Sequence, residues 1–183
     1  MPSTKYEKIV LFSNTCGGQN QNQNFSTMCL HTVTNTSNSI DCIEHLYFES
    51  GHSQMECDSV HSAVENACRH QNIYAPTDYY SIVKSARRNN PYNVTVMDTE
   101  MFHDYKSLSQ SMLKNRTKGT DSTVVNWLKV KWFKYERQNP AKNFFKYDYV
   151  DDFRVIDVVC QSQGRKMVRR PELKKLYALP PKI

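Results

Sequence analysis

The sequence has no apolar run that approaches the roughly 20 residues a helix needs to cross a bilayer. Its first eight residues, MPSTKYEK, are polar, which argues against a secretory signal peptide. We therefore expect an intracellular protein with no membrane partner. None of the six cysteines forms a C-x-x-C pair, so a cysteine-rich zinc site is not expected. In a reducing compartment the thiols should stay free and pack as small apolar groups.

Basic residues are missing from the first third of the chain. Between Ile9 and Cys68 there are six acids and no lysine or arginine, although the whole chain has a net charge of +6. Nine basic residues and two acids lie between Lys114 and Lys146, and seven basic residues and one acid follow from Gln163 onwards. An acidic cluster suits a divalent cation, whereas basic strands and tails suit the phosphates of nucleic acid. The alternative for the acidic third is a solvated surface.

Apolar periodicity in this 183-residue chain, which is 39% hydrophobic, predicts an α/β fold. The order β-α-β-α-α-β favours a mostly parallel sheet with helices on its faces, over a core at residues 1–113. A β-rich extension is expected at 114–162 and a basic tail at 163–183. The predicted strands are a buried one at 8–13 and others at 43–48, 92–97, 124–135, 144–150 and 153–159. The predicted helices are at 20–32, 57–70, 77–87, 107–113 and 169–179.

The first informative motif is IVLFSNTCGGQNQNQN, at residues 9–24. An apolar strand ends in Ser13-Asn14, a Gly-Gly turn follows, and glutamine then alternates with asparagine. In many α/β enzymes the end of such a strand carries a catalytic aspartate. Here the position is occupied by Asn14, whose side chain is a neutral amide.

Carboxylates and imidazoles concentrate in a second motif, GHSQMECDSVHSAVE, at residues 51–65. On a helix, Asp58, His61 and Glu65 are spaced i, i+3 and i+7 and can converge on Mg²⁺ or Mn²⁺. His52 lies at a strand-to-helix corner, where α/β proteins place sites. Each also has a structural alternative. Asp58 could cap its helix, Glu65 could pair with Arg69, and either histidine could simply be packed.

Three further stretches complete a set of five: IYAPTDY, ARRNNPYNV and MDTEMFHDY. In this order the five motifs resemble an uncharacterised transposon-like protein family of animal genomes, and the resemblance covers residues 6–160. The family looks like the C-terminal half of an RNase H-like, transposase-type core. In such cores carboxylates hold two divalent metals that activate the nucleophile and stabilise the leaving oxygen of a phosphoryl transfer.

The resemblance implies a partial RNase H-like three-layer core at 1–113, with catalytic positions at Asp58, Glu65 and His52 and metal ligands at Asp58 and His61. Asn14 matches a degenerate acid position, where the resemblance implies an aspartate. Without the negative charge of that aspartate, metal binding should be strongly weakened. The strand that opens such a core is also missing ahead of 8–13, through truncation or decay. We therefore expect a transposable-element-derived pseudoenzyme that retains nucleic-acid binding. The alternative is a metal-dependent nuclease that uses Mg²⁺ or Mn²⁺.

Lysines and aromatic residues are interleaved in the basic half, between residues 127 and 137. Such a surface can bind phosphates and stack bases, although a half-buried strand has the same pattern. The tail is either a nucleic-acid arm or nuclear-import patch, which would place the protein in the nucleus, or a solubilising end. The residues expected to bind nucleic acid are Lys129, Lys131, Lys134, Arg137, Arg169 and Arg170.

Overall fold

The computed structural model describes residues 8–49, 51, 55–69, 71–159 and 172–177. It divides into two compact units, one formed by Met1–Ser53 with Phe102–Ile183 and the other by Gln54–Met101. The predicted boundary after residue 113 falls inside the first unit. The first unit contains β1 (Lys8–Ser13), α1 (Gln23–Thr34), β2 (Cys42–Tyr47), α4 (Tyr105–Met112), β3 (Trp132–Glu136), β4 (Lys142–Lys146) and β5 (Arg154–Asp157). The second contains α2 (Glu56–Cys68) and α3 (Pro76–Ser85).

A parallel β-α-β unit opens the fold. β1 pairs with β2 in a register that runs from Lys8 opposite Cys42 to Ser13 opposite Tyr47, and α1 is the connection between them. The helix begins after Asn22, whose side-chain oxygen accepts two backbone N–H groups of the first turn. Such a cap satisfies donors that have no partner within the helix. α1 packs on β2 and β3, and α4 packs on α1.

The strands form one sheet in the order β1-β2-β3-β4-β5. β1 and β2 are parallel, but the other three pairings are antiparallel. The α/β class is confirmed, whereas the expectation of a mostly parallel sheet is wrong. Short connections join β3 to β4 and β4 to β5, and connections that short can only join antiparallel neighbours. The predicted β-rich extension therefore continues the same sheet.

The core lies between the sheet and α1. Alternation along β3 points Phe133 and Tyr135 inward, and Phe145 of β4 joins them; each is only 1% exposed. Cys29 and Leu30 of α1 are fully buried against this layer. These aromatic and aliphatic side chains supply the main apolar burial of the first unit.

Side chains on the opposite side of the sheet form what we call the outer face: Lys8, Val10, Phe12, Cys42, Glu44, Leu46, Trp132, Lys134, Glu136, Lys142, Phe144 and Lys146. β1 was predicted to be buried, and this is wrong, because Val10 is 43% and Phe12 56% exposed. β1 lies at the edge of the sheet, and its inward residues Ile9 and Leu11 pack against the core. A uniformly apolar strand does not reveal which of its faces is covered.

Local patterns located most elements. The predicted strand at 8–13 matches β1, and the helices predicted before residue 114 lie within three residues of α1 to α4 at either end. The strand predicted at 92–97 is wrong, because those residues are irregular. The strand predicted at 124–135 begins only at Trp132, after a 3-10 turn at Trp127–Lys129. The helix predicted at 169–179 lies partly outside the described residues, and the described part, 172–177, is not helical.

None of the helices in the described part of the chain has the length and apolar character needed to cross a bilayer.

Candidate nucleic-acid interface

The glutamines and asparagines that follow β1 build a turn. The Cys16 carbonyl accepts backbone N–H groups from three residues, including Asn20 and Gln21. The Asn20 side chain accepts the Cys16 N–H at 3.2 Å, and the Tyr47 hydroxyl donates to the Asn20 carbonyl at 3.1 Å. Asn14, the residue at the predicted acid position, is exposed directly after β1. The motif around it serves to connect the strand to α1.

Gln21 has a longer-range role that the sequence pattern did not reveal. Its side chain is 3% exposed, and its amide nitrogen donates to the carbonyls of Trp127 and Val130 at 3.0 and 2.8 Å. These two bonds fix the 3-10 turn that carries Lys129 to the start of α1. The sequence showed only a glutamine within a turn-forming motif. It gave no indication of the two hydrogen-bond partners, because they lie more than 100 positions away.

Ser13 and His45 form a hydrogen-bonded pair beside this turn. The Ser13 Oγ lies 2.7 Å from His45 Nε2, and the same hydroxyl donates to the Asn14 carbonyl at 3.3 Å. Which of the two groups donates depends on the tautomer of the imidazole. Burial between aromatic rings lowers the pKa of His45 to about 4, so its imidazole is neutral at pH 7. The His45 ring is 1% exposed and packs against the rings of Phe25 and Tyr47, and we assign the pair a structural role.

The acidic motif lies on α2, in the second unit. The Asp58 carboxylate accepts the Met55 N–H at 2.8 Å and so caps the start of α2. A capping role for Asp58 was the structural alternative given above. His61 and Glu65 are exposed further along α2, and Glu65 forms no ion pair with Arg69. His52 lies outside the described residues.

Among the residues that the structure describes, no three His, Cys, Asp or Glu side chains lie close enough to share a metal ion. A metal site at Asp58 and His61 remains a prediction, as do the catalytic assignments of Glu65 and His52. Asn14 and the α2 residues belong to different units.

The predicted basic residues lie in different surroundings. Lys129 is exposed on the 3-10 turn rather than on a strand, so it does not share a strand face with Lys131 as predicted. The Lys131 ammonium lies 2.5 Å from Glu49 and 3.6 Å from Asp148. The hydrogen bond to Glu49 raises the pKa of Lys131. Lys129 is thus available to a ligand, while Lys131 already has carboxylate partners.

Arg137, directly after β3, binds the loop that precedes β2. Its guanidinium lies 2.8 Å from the Asp41 carboxylate and donates to the Asn38 and Ile40 carbonyls at 2.8 and 2.7 Å. These contacts explain the residue structurally, and phosphate binding by Arg137 stays a prediction. Arg169 and Arg170 lie outside the described residues.

Lys134, which was predicted, and Lys146, which was not, lie together on the outer face. The Lys134 ammonium lies 4.9 Å from the Phe144 ring centroid and 4.6 Å from that of Phe153. The Lys146 ammonium lies 4.9 Å from Trp132 and 4.5 Å from the same Phe153. An ammonium over the face of a ring is attracted by the negative potential there. The two cations are therefore held in place by aromatic residues.

The two lysines differ in their ionic partners. Lys134 pairs with Glu136 at 2.8 Å, and its hydrogen bond lowers the pKa of that carboxyl. The ion pairs between described residues do not include Lys146. Lys146 thus presents a positive charge, fixed by two rings, that an incoming anion can neutralise.

Comparisons with protein-family models, curated proteins and solved structures found no match for this chain. The functional argument therefore depends on the geometry of its own residues.

Proposed function

We propose that this chain is a nucleic-acid-binding domain without catalytic activity, derived from the RNase H-like, transposase-type core that its five motifs resemble. The observation that carries the proposal is the arrangement of Lys134 and Lys146 over aromatic rings on the outer face. Lys129 adds an exposed charge on the 3-10 turn. The whole chain has a net charge of +6.

Ordered ammonium groups suit a phosphate backbone for two reasons. A lysine side chain loses considerable conformational entropy when it is immobilised, and contacts with Phe153 and Trp132 have already restricted Lys146. In addition, lysines that neutralise phosphates release condensed counterions, which is the main source of sequence-independent affinity. The exposed Phe12 ring on the same face offers apolar surface to bases.

The absence of catalysis in this proposal follows from the chemistry of two positions. Asn14 offers one neutral oxygen where a two-metal site needs a negative ligand. Asp58 uses a carboxylate oxygen to accept the Met55 N–H. Robust Mn²⁺-dependent cleavage of DNA that is lost in Asp58→Ala would instead establish the nuclease alternative.

The direct test is the salt dependence of DNA affinity, measured by fluorescence anisotropy from about 50 to 200 mM salt. For single strands the slope of log K against log salt is about −0.7 for each neutralised phosphate. Lys134→Ala/Lys146→Ala should therefore make it shallower by about 0.7 to 1.4, the lower value applying where Lys134 stays paired with Glu136. The control is Lys106→Ala/Lys114→Ala, which removes two exposed lysines at α4 and just beyond it. Equal slopes in both variants, or a flat salt response of the unmodified chain, would contradict the proposal.

A further inference from the structure

One aromatic ring on the outer face, that of Phe12, is largely exposed to solvent. Phe12 of β1 is 56% exposed, and its ring is stacked on that of Phe48, with centroids 5.8 Å apart and planes inclined by 26°. The lysine–ring contacts described above do not involve Phe12, so its outer π-face is not occupied by a cation of this group. An exposed, stacked phenyl ring beside cations is a platform for a flat ligand.

The sheet register places this platform in a row with the lysines. Phe12 is opposite Leu46, Leu46 is opposite Trp132, and Trp132 is opposite Lys146. Because neighbouring strands lie about 4.8 Å apart, the row is about 14 Å long from Phe12 to Lys146. That length matches roughly four stacked nucleotides at about 3.4 Å each. The adjacent row contains Lys134 opposite Phe144.

We infer that the outer face binds a single strand of nucleic acid, with a base stacked on Phe12 and backbone phosphates at Lys146 and Lys134. This inference depends on the proposed function and specifies its ligand. In a duplex the faces of the bases are covered by their neighbours, so only an unpaired or splayed base can stack on a protein ring. A duplex would reach the lysines and leave Phe12 without a partner.

Charge decides between this ligand and a second copy of the chain. The apolar row ends at Lys146, and Lys134 lies in the next row, so two ammonium groups border the rings. The same face also carries Glu44 and Glu136, which pair with Lys8 and Lys134, so it is Lys146 together with the net charge of +6 that opposes a second copy of the chain. A polyanion with aromatic bases complements both the rings and the ammonium groups.

The test measures the affinity of three outer-face variants for an oligo(dT) of about 12 nucleotides and for a blunt duplex. Phe12→Ala should weaken binding to oligo(dT) about ten-fold, which corresponds to the loss of one base–ring stack, and should change duplex affinity less than two-fold. Phe12→Tyr should keep the affinity. Val10→Ala is the matched control, because it alters the same strand and face without removing a ring, and it should also have little effect.

The outcomes separate this inference from the proposed function. If Phe12→Ala matches Val10→Ala on both ligands while Lys134→Ala/Lys146→Ala weakens both, single-strand stacking is wrong and nucleic-acid binding stands. If the lysine variant also has no effect, both fail. If Phe12→Ala leaves DNA affinity unchanged but converts a dimer to a monomer in sedimentation analysis, the face is a self-association surface and the inference is overturned.

Discussion

Replacement of Gln21 by leucine should destabilise the first unit far more than the same change at a neighbouring glutamine. Leucine fills a similar volume but cannot donate to the carbonyls of Trp127 and Val130. Val130 is 1% exposed, so the loss of the amide donor leaves its carbonyl in a buried environment. An unsatisfied buried acceptor costs about 1 to 3 kcal/mol, and a hydrogen bond lost where the acceptor has another partner costs about 1 kcal/mol. The Trp127 carbonyl still accepts the Val130 N–H.

We therefore expect Gln21→Leu to lower the free energy of unfolding by about 2 to 4 kcal/mol. With a urea m-value of about 2 kcal/mol/M, the midpoint should fall by about 1 to 2 M. Tryptophan fluorescence is a suitable probe, because Trp127 and Trp132 both belong to the first unit. The control is Gln19→Leu at an exposed position, with an expected change within about 0.5 kcal/mol. Equal midpoints for the two variants would refute the assigned role of Gln21.

Three further outcomes follow from the geometry. The pKa of His45 is about 4 when folded, against 6.5 ordinarily, so the unfolded chain binds more protons as the pH falls from 6.5 to 4. Protonation of His45 should therefore lower the free energy of unfolding by about 2 kcal/mol between pH 7 and about pH 4.5. The urea midpoint of His45→Gln should change less with pH than that of the unmodified chain. Phe145→Ala should cost about 3 to 5 kcal/mol, whereas Phe144→Ala, on the outer face, should cost clearly less; equal losses would contradict the assignment of faces. Asp58→Ala should speed amide exchange at Met55 and in the first turn of α2, because the carboxylate no longer accepts the Met55 N–H; unchanged exchange would reject this cap.

Local sequence patterns identified those parts of the fold that depend on local physics. β1 is a short run of apolar and β-branched residues bounded by Ser13-Asn14, and its limits were predicted from that pattern. The helices follow from apolar spacing and polar first turns. The antiparallel return of β3 to β2 could not be predicted, because two strands 85 residues apart carry no local signal for their relative direction.

The outer face illustrates what sequence alone leaves undetermined. Lys134 was expected to bind nucleic acid because basic and aromatic residues alternate around it. Lys146 was not singled out, since its contact with Phe153 depends on the pairing of β4 with β3 and on the turn before β5. Phe12 belongs to the strand at 8–13, which was predicted to be buried because it is short, apolar and β-branched. Only the position of β1 at the sheet edge shows that its ring is exposed.

Photochemical cross-linking tests the central claim most directly. The full chain would be irradiated in complex with an oligonucleotide that contains 5-iododeoxyuridine, and the cross-linked peptides would be identified by mass spectrometry. The account predicts cross-links on the outer face, at Phe12 in β1 and Trp132 in β3. Cross-links confined to α2, or to surfaces away from these strands, would contradict it.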